Sequence, residues 1–463
     1  MTYSAVSTTG IYCWAGCAAR PHPRNVNTYP TPVAAEAAGY RPCLRCRPDR
    51  LPERHLDRMA PRPVAQALLL ITDGYLDRHD EDQLASAVGY SSRQLRRLFL
   101  EHVGATPVFV ARSRRAHFAR RLLDETDLPM EHISAAAGFS STRQLHRTML
   151  AIFGFAPTEL RRRRRSADSS AADGGLRLRI PFDPPVDTAG FADYLGPRAT
   201  PGVEEVVGTT YRRTIVSCGY PGVVELDLGS DDASVELTAH LPTFATVIDD
   251  VARARHLLGL EHSRDSADAL AQDELLGPVL RARPGLCVPG CWDRFEGLVR
   301  IVLGQQVSVA AASTVAGRVA ARAGTVVEGL DDRLTVTFPA PEALAEADLE
   351  NIGMVGRRAE TVRRVARAVA DGELDLFLVA DLDELVEMYT ALAGIGPWTA
   401  HLAALRLHRD PDAFPASDLG LRRGAALLLG HGTPLTTDEL TELAERWRPH
   451  RALATRLLWS IDV

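Results

Sequence analysis

The chain has 463 residues, 46% hydrophobic and 24% charged, a length that predicts two to four domains rather than one core. No apolar run reaches transmembrane length and no apolar signal segment opens the chain, so a cytoplasmic protein without a membrane partner is expected. The net charge of −6 is uneven: residues 1–165 carry 25 Arg against 15 Asp and Glu, the remainder carries 28 against 44, and lysine is absent, so the basic front third predicts a polyanionic partner.

In chain order, the first feature is a cysteine quartet, Cys13, Cys17, Cys43 and Cys46, spaced C-x3-C and C-x2-C. Disulfides are disfavoured in a reducing compartment, and four thiolates at this spacing suit a closed tetrahedral zinc site. Spacing alone leaves open whether the cluster is a staple or whether one sulfur also reacts.

An internal repeat follows. "AVGYSSRQLRRLFLEHVGATP" (87–107) returns as "AAGFSSTRQLHRTMLAIFGFAP" (136–157). In each, a short helix meets Gly89 or Gly138, and a serine pair caps a second helix. A single unit could be a plain helical hairpin; two copies predict paired helix-turn-helix units. Arg93, Gln94 and Arg97, then Arg143, Gln144 and Arg147, fall on the outer faces of the second helices, where their side chains suit guanine and adenine edges.

"RRRRRSADSSAADGG" (161–175) has too little apolar surface to fold and reads as a linker. Beyond it, residues 176–250 alternate β-branched and polar residues between Gly and Pro turns, which predicts a small antiparallel sheet. From 251 onward the periodicity is helical. "LAGIGPWTAHLAALR" (392–406) predicts a helix-hairpin-helix whose Gly394 and Gly396 leave backbone N–H groups open to a phosphate, although an ordinary helical turn would read similarly. Asp418 in "FPASDLGLRRG" stands at a helix start, where capping is the local explanation. Cys287 and Cys291 lack companion ligands and read as structural.

Two family resemblances organise these features. "TTGIYC" (8–13), "RPCLRC" (41–46) and the paired motif over about residues 65–160, which resembles AraC-type regulators, together resemble Ada-type methylphosphotriester repair proteins over about residues 3–160. The resemblance implies that Cys13 is both zinc ligand and methyl acceptor, and that Thr9, Arg20 and Arg41 contact DNA. Ala18 stands where the family usually has arginine. Only eight residues precede Thr9, where the family has some two dozen before this motif; either the start is misplaced or the zinc module is trimmed. No "PCHR" motif occurs, so the O6-methylguanine transferase domain of longer Ada proteins is not expected.

"FEGLVRIVLGQQVSVAAA", "GIGPWTAHLAALR", "FPASDLGLRR" and "ERWRPHRALATRLLW" resemble AlkA-type 3-methyladenine DNA glycosylases over about residues 176–463. This implies a catalytic Asp418, a base-flipping Trp398 and a pocket Trp459; Trp at helical spacing is otherwise ordinary core. Gln306 lies beside the intercalating wedge in place of an apolar residue, and Leu402 replaces a pocket tyrosine.

The expected architecture is multidomain and mainly α with small α+β parts. It comprises a zinc module (1–55), a double helix-turn-helix (60–162), a linker (163–175), a sheet cap (176–250) and a helix-hairpin-helix glycosylase bundle (251–463). The resemblances imply zinc as cofactor, double-stranded DNA and RNA polymerase as partners, and a bifunctional repair enzyme and transcription activator. The competing reading is a regulator whose glycosylase-like half only binds DNA.

Overall fold

Alternating burial in "YSAV" makes β1 (Tyr3–Val6) the centre of a four-stranded sheet with β2 (Ile11–Trp14), β3 (Val26–Tyr29) and β4 (Arg41–Pro42), in the order β3-β1-β2-β4. β1 runs antiparallel to β2 and β3, while β4 joins β2 in parallel. Helix α1 (Pro32–Ala37) starts at Thr31, whose hydroxyl accepts the Ala34 N–H. Tyr3, Ala5, Tyr12 and Ala35 form the buried cluster. So small an apolar core calls for a staple. The computed structural model describes residues 2–14, 17–19, 21–48, 60–163, 171–172, 175–229, 233–260, 264–327, 333–378 and 380–461.

Helices α2 (Arg62–Thr72) and α3 (Tyr75–Arg78) lead into the two repeats. In the first, α4 (Glu81–Ala87) opens with an Asp80/Gln83 capping box, Gly89 turns the chain at φ +75°, and α5 (Ser92–His102) opens with a Ser91/Gln94 capping box. The long α6 (Pro107–Glu125) connects to the second repeat. There α7 (Met130–Ala136), Gly138 at φ +73° and α8 (Thr142–Phe153), capped by Ser141, repeat the geometry. Both helix-turn-helix units thus form as the repeat predicts. Helix α9 (Pro157–Arg162) takes in the first two residues of the arginine run.

The linker is not wholly without structure. Ala171–Ala172 form a short strand, β5, paired with the start of β6 (Gly175–Pro181), while residues 164–170 and 173–174 lie outside the described residues. The sheet continues through β7 (Glu204–Val207), β8 (Thr210–Ser217), β9 (Tyr220–Asp227) and β10 (Ser234–His240), in the order β5-β6-β10-β9-β8-β7, with α10 (Thr188–Leu195) between β6 and β7.

Helices α11 (Val247–Leu257), α12 (Arg264–Leu270), α13 (Leu276–Ala282), α14 (Arg294–Leu303), α15 (Val309–Ala323) and α16 (Pro341–Ala345) follow. The bundle is completed by α17 (Gly356–Ala370), α18 (Leu382–Thr390), α19 (Pro397–Leu407), α20 (Leu419–Leu428), α21 (Thr437–Ala444) and α22 (Arg451–Trp459). Two compact units result: Met1–Leu178 with Leu241–Ala252, and Arg179–His240 with Arg253–Val463. Residues 241–252 therefore group with the front of the chain rather than with the sheet, where Arg114 bonds the Ile248 carbonyl at 3.4 Å and pairs with Asp249 at 3.5 Å.

A buried charge network fastens the sheet to α14. Glu204 pairs with Arg213 at 3.2 Å and Arg300 at 2.8 Å, Arg213 pairs with Glu296 at 2.6 Å, and the Tyr211 hydroxyl donates to Glu204 at 2.5 Å. Burial alone would raise the Glu204 carboxyl, but Arg300, Arg213, the Tyr211 hydroxyl and the Thr200 N–H outweigh it and hold it at about 2. A depressed pKa means that this stabilisation is complete above the ordinary value of 4.5 and is lost as pH falls from there toward 2. The melting temperature of the second unit should therefore drop over that window. Glu204→Gln should flatten the drop while costing up to about 3–5 kcal/mol at neutral pH, because it leaves the two buried arginines, Arg300 and Arg213, sharing the single carboxylate of Glu296. Calorimetry across the pH range measures both effects.

Candidate functional sites

The parallel pairing of β2 with β4 brings the two cysteine pairs together: Cys13 lies in β2, and the Cys43 N–H donates to the Tyr12 carbonyl at 3.0 Å. The ligand sulfurs of Cys13, Cys17, Cys43 and Cys46 all lie within 4.8 Å of one another. Tetrahedral Zn–S bonds of about 2.3 Å place sulfurs a little under 4 Å apart, so the quartet fits zinc with little closure. Burial, then the neighbouring Cys43 and Cys46, push the Cys13 thiol far above its usual value, and burial above all pushes Cys46 to about 12. At Cys43 burial also opposes the thiolate, yet the Cys46 and Arg45 N–H groups outweigh it and lower that thiol. Four crowded thiols in such surroundings are poor company for one another and good company for a dication. Cys287 and Cys291 differ: burial raises each to about 12, and among the described residues the quartet is the sole grouping with metal-ligand geometry.

Around the quartet, Thr9 is exposed in the β1–β2 turn, and Arg41 lies on β4 with its guanidinium 5.2 Å from the Phe155 ring centroid. Arg20 lies outside the described residues. On the repeats, Arg93, Arg97, Arg143 and Arg147 are exposed as expected. The glutamines are more committed than the sequence reading allowed. Gln94 Oε1 accepts the Ser91 N–H at 3.2 Å, and half-buried Gln144 Oε1 accepts the Ser140 N–H at 2.9 Å, so both side chains cap their helices.

In the second unit, Asp418 caps α20: Oδ1 accepts the Leu421 N–H at 3.1 Å. The same carboxylate takes the Trp459 indole N–H on Oδ1 at 3.0 Å and the Trp398 indole N–H on Oδ2 at 2.9 Å. Capping and a functional reading thus coexist in one side chain. Gly420 went unnoticed in the sequence, yet a Cβ there would sit 3.2 Å from Asp418 Oδ1 and 3.3 Å from the Trp459 ring, so its absence admits the indole. Gln305 was also missed; its amide donates to the Gly394 carbonyl and the Thr399 hydroxyl, each at 3.0 Å. The neighbouring Gln306 is exposed and held at φ +55°. Leu402 is buried.

The hairpin glycines separate into two kinds. Gly394 has φ +100°, and a Cβ on it would come 2.1 Å from the Thr361 hydroxyl, so the fold itself requires glycine. Gly396, the residue before α19, has an ordinary φ of −101°, and nothing lies within 4 Å of its missing Cβ. Gly394→Ala should therefore destabilise the bundle by a few kcal/mol. Gly396→Ala should leave melting nearly unchanged while weakening duplex binding several-fold, because the added methyl stands where a phosphate would approach the N–H groups. Paired melting and DNA-titration experiments check both.

The thiolate quartet, the paired helix-turn-helix units and the aspartate behind a helix-hairpin-helix define a DNA-binding repair and regulatory protein with a base-excision glycosylase fold. Family models agree along the chain: metal binding domain of Ada (2–49), helix-turn-helix domain (84–163), AlkA N-terminal domain (177–293) and HhH-GPD superfamily base excision DNA repair protein (299–449). The chain is 40% identical to the "Probable bifunctional transcriptional activator/DNA repair enzyme AlkA" of Mycobacterium tuberculosis, covering 98% of this chain and 92% of that one. It belongs to that family of bifunctional transcriptional activator/DNA repair enzymes. The chain is also 33% identical to "DNA-3-methyladenine glycosylase 2" of Escherichia coli K12, over 60% of this chain and 95% of that protein. The fold is also that of a 3-methyladenine DNA-glycosylase from Archaeoglobus fulgidus, with TM-score 0.53, 23% identity, and coverage of 62% of this chain and 98% of that one. No helix among the described residues is long and apolar enough to cross a membrane.

Proposed function

We propose that the second unit excises 3-methyladenine-type bases by hydrolysis, with Asp418 as the charged group. The observation that carries this reading is the Asp418 carboxylate held by two indole N–H groups. As the bond from the sugar C1′ to the base nitrogen breaks, its electron pair goes to the base and positive charge grows on the sugar. A carboxylate facing that charge lowers the barrier. An alkylated purine carries positive charge and leaves as a neutral base, so little acid catalysis is needed. The faces of Trp398 and Trp459 suit stacking against such a cation. Water then adds to C1′ and gives up a proton, leaving an intact abasic site. A chain without lysine has no ε-amine to form a Schiff base with the sugar.

The front of the chain is proposed to take a methyl group from a DNA methylphosphotriester onto Cys13. Zinc, when bound, keeps the four sulfurs as thiolates at neutral pH. Cys13 Sγ attacks the methyl carbon, the carbon–oxygen bond breaks, and its electron pair stays on the phosphate as an ordinary diester. Thr9, Arg20 and Arg41 would hold the backbone, and the outer arginines of α5 and α8 would read the operator. The methylated form would then act as activator, with RNA polymerase as its partner.

One experiment tests both chemistries: purified protein is incubated with duplex DNA carrying 3-methyladenine and, separately, a methylphosphotriester. Free base, an alkali-labile but unbroken strand and one methyl on Cys13 are expected. A covalent adduct trapped by borohydride would overturn the hydrolytic mechanism, and a methyl found elsewhere would overturn the Cys13 assignment.

A further inference from the structure

Glu36 is the one residue of α1 whose chemistry does not fit its place. In "PVAAEAAG" it reads as a solvent-facing helix residue, yet its side chain is 0% exposed. Its carboxylate gathers three groups from two other elements. The Tyr12 hydroxyl of β2 donates to Oε1 at 2.7 Å, and the Ser113 hydroxyl of α6 donates to Oε2 at 2.5 Å. His117 Nε2, one turn further along α6, lies 2.6 Å from Oε1. The surrounding seam is close: the Thr31 hydroxyl donates to the Val103 carbonyl at 3.1 Å, and a Cβ on Gly104 would lie 2.7 Å from the Ala34 Cβ. At its edge Arg47 pairs with buried Asp124 of α6 at 2.8 Å.

These elements have distinct jobs. β2 carries Cys13 next to Tyr12, and the Tyr12 carbonyl receives the Cys43 N–H, so the residue bound to Glu36 is tied to two of the four sulfurs. α6 is the helix between the two helix-turn-helix units. A buried carboxylate contributes little net stability compared with well-packed apolar groups, but its bonds have direction and fix the angle between the parts they join.

We propose that Glu36 is the positioning residue that locks the zinc module onto α6, so that the charge change at Cys13 is registered by the DNA-binding surface of the whole front unit. This rests on Cys13 being the methyl acceptor. Four thiolates around zinc carry a formal charge of −2, and one methyl makes it −1. That change alters affinity only if the quartet is held within about a Debye length, roughly 8–10 Å, of phosphate on the duplex that the helices grip.

The test uses the full chain, unmethylated and after reaction with methylphosphotriester DNA, titrated with a 30-base-pair duplex of random sequence over a range of salt. Three proteins are compared: wild type, Glu36→Leu, which removes the joint, and Glu36→Gln, whose amide can accept from Tyr12 and donate to Ser113. Wild type should gain roughly three- to tenfold in affinity on methylation. Glu36→Leu should keep one zinc and accept one methyl, yet gain less than twofold, and Glu36→Gln should restore most of the gain. A full gain in the Leu variant, or no rescue by Gln, overturns the proposal, since a residue that only fills space would move neither. If the Leu variant misfolds, the pair Ser113→Ala/His117→Leu removes both α6 partners of Glu36, cuts the same joint from the α6 side and must lose the gain.

Mass spectrometry shows separately whether wild-type Cys13 takes the methyl at all. If it does not, the salt dependence decides the joint alone. A shallower slope in the Leu variant supports a zinc module held on the duplex, and an unchanged slope overturns it.

Discussion

Asp418→Asn should abolish base excision while leaving the protein folded and the front of the chain unaffected. Asparagine caps a helix as well as aspartate, so α20 keeps its N-terminus and the melting temperature should move little. The chemistry suffers twice. The negative charge facing the sugar is gone, an effect of about 10²–10³-fold or more when a preorganised electrostatic group is removed. The amide also cannot accept from both indoles: its oxygen can take one N–H, but its NH₂ then confronts the other donor, and the Trp398–Asp418–Trp459 arrangement must open. Single-turnover excision from duplex DNA carrying 3-methyladenine measures the loss. Trp459→Phe keeps the ring and removes the N–H, so it should cost far less than the loss of the carboxylate. Full activity in the Asn variant would remove Asp418 from the mechanism.

The parts of this molecule legible in its sequence are those whose cause is local. Gly89 and Gly138 sit at positive φ because a tight turn needs them, and Ser91 and Ser141 follow as caps because the next helix needs them. The cysteine spacing was readable for the same reason, since each pair closes over only a few residues. Asp418 showed its cap but not its company: the indoles that meet it come from 20 and 41 residues away and converge only once α19, α20 and α22 pack. Gly420 and Gln305 are invisible in sequence because each acts through a neighbour from a distant element. Glu36 and Glu204 mislead outright. A carboxylate in a short helix or strand is ordinarily solvated, and partners from distant elements make burial tolerable: β2 and α6 for Glu36, β8 and α14 for Glu204. Gln94 and Gln144 carry two jobs that sequence cannot separate: Oε1 of each caps its helix, and the amide nitrogen at the other end is the group with chemistry for a base edge.

Loss of zinc should have the largest effect on the front of the chain and almost none on the back. Cys43→Ser/Cys46→Ser removes two ligands, and the protein should then contain no bound zinc where wild type holds one per chain. Structural zinc supplies about 10–16 kcal/mol of apparent folding free energy in small modules, far more than the Tyr3, Ala5, Tyr12 and Ala35 cluster can replace. Residues 2–48 should therefore lose protection from hydrogen exchange, methyl transfer to Cys13 should vanish, and the Glu36 carboxylate should lose Tyr12 as a fixed donor. The second unit has its own extensive core around α14, α17 and α19 and shares none of these ligands, so its excision activity should persist within about twofold. Zinc content by atomic absorption, exchange by mass spectrometry and the excision assay read the three consequences independently. Retained zinc in the double variant would end the four-thiolate assignment. Lost excision would mean that the repair activity of the second unit depends on the metal module at the front.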